Sequence, residues 1–289
     1  MSRDTTTFHY MGDHGNNFFF DEDPSHDQWN FVLIGKGGYD TLNGLSGDDT
    51  IWGGSKDDVL NGNAGNDEIH GGVGQDDIRG EVGDDRLYGQ GGDDYVRGGD
   101  GDDLVDGGNG ADRLYGDSGD DKLTGGAGND ALYGGDGKDS LSGGDGDDRL
   151  QGGNDDDVLS GGAGDDSLYA GDGADILSGG AGSDRFEFIH MEDSMVGSAD
   201  LIRDFEVGVD KIDLAYIDAN VNEDDQQFFD FIGSADFSGK AGELNYQIVK
   251  GKGLLSGDAD GDGVADFQVV LANRAALTVN DLLLHWDFT

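Results

Sequence analysis

Between Gly35 and Glu187 the chain repeats itself every nine residues, seventeen times, with no insertion or deletion. Typical units read GGVGQDDIR (71–79), GGAGNDALY (125–133) and GGAGDDSLY (161–169). The sixth position is Asp in all seventeen, and the eighth is apolar in all seventeen, from Leu42 to Phe186. The first is Gly in every unit but one, where Ala170 stands. The fourth is Gly except at Lys56 and Asp155. A strict period of this length is the mark of a solenoid, in which each unit buries its apolar face only against stacked neighbours.

Composition on its own argues for the opposite outcome. With 56 Gly, a formal net charge of −46 and 34% hydrophobic residues, the chain resembles acidic low-complexity sequence. The register decides between the two. Seventeen apolar residues in seventeen trials, at the frequency of such residues in the chain, would arise by chance on the order of once in 10⁸. A disordered chain has no reason to hold a nine-residue register.

Each unit divides into two physical parts. Gly-Gly-x-Gly-x-Asp is expected to turn, because Gly takes positive φ without steric cost. The final x-apolar-x is expected to be a short strand with one side chain pointing inward. Two units then close one coil, and stacked coils give two facing parallel sheets around a thin aliphatic core. Proline is absent from the run, as interior stacked strands require. One buried side chain per nine residues is a weak core, and charge weakens it further. Residues 35–187 carry 37 Asp plus Glu against 10 Lys plus Arg, a net of −27. A hard divalent cation is expected to neutralise the turns, since they offer carboxylates and free backbone carbonyls. These are the oxygen ligands calcium takes, and magnesium's strict octahedral demand suits them less.

The unit G-G-x-G-x-D-x-U-x, with U apolar, resembles the repeat of the RTX, or hemolysin-type, calcium-binding proteins. That resemblance implies a parallel β-roll with calcium ions between turns on the same edge. Each ion would be bound by Asp carboxylates and turn carbonyls of repeats n and n+2. Carried onto this chain, it implies metal ligands at Asp40, Asp49, Asp58, Asp67, Asp76, Asp85, Asp94, Asp103, Asp112, Asp121, Asp130, Asp139, Asp148, Asp157, Asp166, Asp175 and Asp184. The n/n+2 pairing implies about fifteen ions. The repeats with Lys56 and Asp155 depart from the pattern, because a non-Gly residue strains that turn.

The period stops at Phe188, where Gly thins out and phenylalanine becomes frequent. DLIRDFEVGVDKIDL (200–214), FIGSADFSGKAGEL (231–244), GDADGDGVADF (257–267) and LTVNDLLL (277–284) resemble the C-terminal domain of serralysin-type secreted metalloproteases. The expectation is an all-β chain in three parts: an N-terminal cap or tail over 1–34, the roll over 35–187, and a β-sandwich-like cap over 188–289. Asp258, Asp260, Asp262 and Gly263 match the opening of an EF-hand loop. Val269 stands where its bidentate Glu would be, and Asp266 is the candidate for the remaining carboxylate. An acidic, Gly-rich hairpin turn explains the same residues.

Catalytic signatures are missing from the sequence. None of His9, His14, His26, His70, His190 and His285 lies four residues from another, so a helical zinc pair is excluded by spacing. There is no Cys and no G-x-S-x-G elbow. The expectation is a protein that is not an enzyme. Its first 34 residues are too few for a catalytic domain. Gly12, Gly15, Asn17 and Phe19 fall at positions one, four, six and eight of a degenerate repeat, GDHGNNFFF. Trp29–Ile34 would then cover the first turn.

The beginning of the chain shows no basic start followed by an apolar run, so a Sec signal is not expected. No stretch is long and apolar enough to span a membrane. Net negative charge argues against nucleic acid and anionic lipid as partners. The family resemblance implies export by type I secretion machinery through an uncleaved C-terminal signal, for which Leu277–Thr289 is the candidate. Extracellular calcium would then fold the exported chain. It leaves three roles open: a matrix, adhesion or host-directed protein, an accessory module of a polysaccharide-acting system with a polysaccharide or cell-surface partner, and a membrane-active secreted protein.

Overall fold

A computed structural model describes residues 7–19, 29–222, 227–273 and 276–285. Phe20, His26 and the last four residues of the candidate export signal lie outside them. The chain divides into two compact units, Met1–Asp148 and Arg149–Thr289.

In the first unit, strands two apart in sequence pair in parallel with a register of eighteen residues. Thr41–Ser46 pairs with Val59–Ala64, setting Leu42 beside Leu60. Thr50–Ser55 pairs with Glu68–Val73, setting Ile51 beside Ile69. The same register recurs at Tyr95–Asp100 with Arg113–Ser118 and at Lys122–Ala127 with Ser140–Asp145. Odd and even repeats thus form separate parallel sheets, which is a parallel β-roll. The position-eight side chains fill its interior: Leu42, Ile51, Leu60, Ile69 and Ile78 are all fully buried. Outward position-nine side chains stack at the same spacing. Trp52, His70 and Tyr88 stack with centroids 3.8 and 4.7 Å apart, and Tyr115 lies 4.8 Å from Tyr133.

The division of the nine residues differs from the sequence expectation. Strands are six residues long and run from position seven through position three of the next repeat, as in Val59–Ala64. Only Gly-x-Asp turns. The physical reason is a corner at position two. Lys36, Leu45, Asn63, Glu81, Gln90 and Asp117 all have φ between 76° and 81° there, as costly for a side chain as at position four. Backbone pairing continues through that corner, with Leu45 beside Asn63 and Ser46 beside Ala64.

Before the regular repeats, Phe18–Phe19 pairs with Thr41–Leu42, and Thr7–Met11 pairs with Asn30–Ile34. Phe19 sits at the position-eight register, beside Leu42. Phe31 occupies the position-six register, where its backbone N donates to Asp49 Oδ1. Its ring is buried against those of Phe8 and Phe19.

In the second unit the same pairing joins Val158–Ala163 to Ile176–Ala181 and Ser167–Asp172 to Arg185–Glu187. The nonapeptide pattern ends at Glu187, but the stacking does not. Leu201–Ile202 pairs in parallel with Ile176–Leu177, and Lys211–Asp213 with Arg185–Glu187. Phe267–Leu271 and Leu282–Leu283 then pair with these two strands. An antiparallel meander of Glu243–Val249, Lys252–Asp258 and Phe267–Leu271 extends one sheet, and Asp230–Phe231 pairs in parallel with Glu243–Val249 at its edge. Phe188, Phe205, Phe229 and Phe267 are buried in this unit. Among the described residues, no helix is long and apolar enough to cross a membrane.

Candidate metal centres

Every position-six aspartate is buried, with 1–3% of its surface exposed. Its two carboxylate oxygens have different fates. Oδ1 accepts the backbone N–H of the aspartate eighteen residues earlier: Asp40 N donates to Asp58 Oδ1 at 2.7 Å and Asp85 N to Asp103 Oδ1 at 2.8 Å. The same bond joins Asp112 to Asp130 and Asp157 to Asp175. Oδ2 of each such residue from Asp40 to Asp130, and of Asp175 and Asp184, is buried and accepts no hydrogen bond. A buried carboxylate oxygen without a donor or cation is costly. Burial accordingly pushes these carboxyls upward, to about 8 at Asp49 and Asp103 and about 7 at Asp67, Asp76 and Asp112. The bond from the backbone N–H opposes that rise only in part.

The orphaned oxygens lie beside position one. A Cβ on Gly98 would come under 3.0 Å from Asp103 Oδ2 and from the carbonyl of Gly116, two repeats on. Gly35 has the same two neighbours in Asp40 Oδ2 and Gly53 O, and Gly71 has Asp76 Oδ2 and Gly89 O. Position one is therefore Gly for room, whereas position four is Gly for its backbone angle, as at Gly47 with φ 116°. A bare glycine, a carboxylate oxygen and a backbone carbonyl converge on one small space, which is an oxygen-only donor set suited to calcium. The ion would supply positive charge to a buried anionic edge and tie repeat n to n+2.

Ala170 is the exception. It carries the methyl group that the other position-one residues lack, and it is 2% exposed. Its repeat is also irregular at position four, where Gly173 alone among these glycines lacks a positive φ.

The loop between Lys252–Asp258 and Phe267–Leu271 brings three more carboxylates together. Oxygens of Asp258, Asp260 and Asp262 all lie within 4.8 Å of one another. Asp258 is buried and its oxygens accept from Gly261 N and Gly263 N, while Asp260 and Asp262 are exposed. Asp266 stands apart from this group. Its Oδ2 accepts from Ala259 N and Asp260 N, which braces the base of the loop.

Two aspartates outside the repeats continue the ladder unannounced. Asp200 Oδ1 accepts from Asp175 N, and Asp210 Oδ1 accepts from Asp184 N. Their signal was present: Asp200-Leu-Ile-Arg and Asp210-Lys-Ile-Asp each repeat the D-x-U-x end of the unit. Gly208-Val-Asp210 even repeats the Gly-x-Asp turn, but Asp200 and Asp210 fall off the nine-residue spacing that runs through Asp184, so they did not read as repeats. Asp200 Oδ2 is buried without a hydrogen bond, and burial raises that carboxyl to about 9. Asp210 Oδ2 is instead satisfied by Glu206 N.

Parallel strands in eighteen-residue register, with cradles of carboxylate and carbonyl oxygen along their edges, define a calcium-binding β-roll. The model of the RTX calcium-binding nonapeptide repeat (4 copies) matches residues 32–60, 52–87, 79–114, 88–123, 115–150 and 151–186, which together cover more than half of the chain. The chain belongs to this RTX family, and calcium is the ion its repeats bind.

Among solved structures, the chain is similar to two subunits of the Azotobacter vinelandii mannuronan C5-epimerase. AlgE6R3 is 25% identical over 66% of this chain and 78% of its own, with a TM-score of 0.27. AlgE6R2 is 24% identical over 73% and 94%, also with a TM-score of 0.27. Likeness at that TM-score carries nothing further about this chain.

Proposed function

We propose that this chain is a non-enzymatic protein that works outside the cell, where calcium folds its repeats. The observation that carries the reading is the row of buried, unpartnered Oδ2 atoms from Asp40 to Asp130. A roll with that interior is unstable where calcium is scarce and stable where it is abundant. A chain unfolded in the low-calcium cytosol can be threaded through type I secretion machinery, with the C-terminal segment as its signal. The ligands in this reading are the position-six aspartates Asp40 to Asp184, each with position-one carbonyls. The Asp258–Asp260–Asp262 loop is a separate calcium site braced by Asp266.

Calcium titration followed by circular dichroism and calorimetry tests the reading. The expected result is a largely disordered chain in excess chelator, gaining strand as several ions bind. A fully formed roll in chelator would overturn it.

One observation favours a narrower role. A shallow groove of about 450 Å³ is lined by Arg79, Arg97, Tyr115 and Tyr133 on one sheet of the first unit. Arg97 forms two bonds to Asp117, and the stacked tyrosines offer aromatic surface. Such a surface fits an accessory, glycan-binding part in a polysaccharide-acting system. A glycan array with and without calcium separates that role from a purely structural one.

A further inference from the structure

The cradles of Gly35, Gly44, Gly53, Gly71 and Gly98 share one pattern: a bare glycine, the Oδ2 of the aspartate five residues on, and the position-one carbonyl of repeat n+2. The cradle before the first regular repeat breaks it in one atom. A Cβ on Gly12 would meet Asn17 Nδ2 at 2.7 Å and Gly35 O at 2.8 Å. Gly35 O is the counterpart of Gly53 O in the cradle of Gly35, so the carbonyl arm is kept. The backbone bond is kept as well, since Asn17 N donates to Asp40 Oδ1 at 2.6 Å, as Asp40 N does to Asp58 Oδ1. Only the carboxylate has become an amide.

That amide supplies what the interior cradles lack, a donor. Nδ2 donates to Gly15 O at 2.6 Å and to Asp40 Oδ1 at 2.9 Å, with Gly35 O 3.3 Å away. It therefore gathers backbone and carboxylate oxygens around itself much as a small cation would, without adding an uncompensated charge.

We infer that Asn17 is a built-in replacement for calcium, so that the N-terminal cradle of Gly12 and Asn17 takes no ion and the calcium array begins at Asp40. The first coil is then held by protein atoms alone and gives the ion-bound repeats a calcium-independent surface to stack on. The inference rests on the interior cradles binding calcium.

The experiment counts calcium ions per chain, by native mass spectrometry and calorimetry, in the full-length protein and in Asn17→Asp and Asn17→Ala. Asn17→Asp is expected to bind one ion more than the parent. Asn17→Ala is expected to bind the same number with a raised calcium midpoint, because the first coil loses its internal tie. In the parent, the side-chain amide protons of Asn17 are expected to exchange with solvent at least tenfold more slowly than those of an exposed Asn. An unchanged count in Asn17→Asp overturns the inference. So does an Asn17 amide that exchanges freely in the calcium-loaded parent, a measurement that needs no variant to fold. A parent chain that binds no calcium would instead overturn the function proposed above.

Discussion

From Thr41 to Tyr133 each nine residues bury one aliphatic side chain and, beside it, a carboxylate oxygen that accepts no hydrogen bond. From Phe188 onward the interior is of another kind. Phe188 meets Phe267 edge to face at 5.5 Å, and Phe229 lies 6.5 Å from Phe267. Most acids there are held by protein donors. Asp281 accepts from Thr278 N, Thr278 Oγ1 and Gly208 N, and Glu243 from Ser238 N and Oγ. The repeats gain register from backbone pairing but leave their charge to an ion. The C-terminal segment has enough aromatic area to need none for its core.

The largest expected effect follows from removing the ion. In excess chelator, amide exchange over residues 41–145 should rise to that of a disordered chain, while residues 243–271 stay measurably protected. Simultaneous loss of protection in both regions would erase the contrast.

Single substitutions should separate the regions next. Phe267→Ala should cost about 3–5 kcal/mol of stability at saturating calcium, as for other buried aromatics. Gly98→Ala sets a methyl against Asp103 Oδ2 and Gly116 O, and such overpacking costs about 1–3 kcal/mol. Its signature should be a higher calcium midpoint. Equal calcium midpoints in the two variants would argue that the repeats and the aromatic core share one source of stability.

Acid should stand in for calcium in the repeats and at Asp200. A carboxyl whose folded value lies above its ordinary 3.8 stabilises the fold while it holds its proton. That contribution is complete below 3.8 and is lost as pH rises through the folded values, about 6 at Asp85 to about 8 at Asp103. In chelator, therefore, strand content should be greatest near pH 4 and decline from there to about pH 8. With calcium the order reverses, because protons compete with the ion. A chelated chain with no pH dependence between 4 and 8 would contradict the burial of these groups.

The smallest expected effect is a gain. Ala170→Gly should restore the missing room and add one calcium ion, or tighten one, with little change in overall stability. Calorimetric stoichiometry beside the parent checks it.

Much of this was legible in the sequence because the repeat states it seventeen times. The inward position eight and the parallel roll follow from period and residue type alone. Strand length was not legible, since Gly-Gly-x resembles a turn. The corner at position two was hidden because Lys36, Leu45 and Glu81 show no preference for positive φ. Asp200 and Asp210 escaped notice because stacking needs only an aspartate and an apolar residue two places on, and tolerates loops that break the nine-residue spacing after Asp184. Position-one glycine was visible, but its purpose was not. Room for an oxygen from five residues away becomes apparent only once the chain has turned.

The stacked rings of Trp52, His70 and Tyr88 lie eighteen residues apart, as do Tyr115 and Tyr133. The repeats therefore have a parity. Deleting eighteen residues moves later strands along their own sheet and restores every Asp-to-Asp bond. Deleting nine, Gly53–Asn61 for instance, restores those bonds too but hands every later strand to the opposite sheet. Trp52 would then face Arg79 in place of His70, and each outer surface would become a splice of the two. Metal binding is indifferent to that exchange, while anything that reads an outer face is not. A roll of this kind can change length freely in single repeats as a calcium scaffold, but only in pairs as a recognition surface.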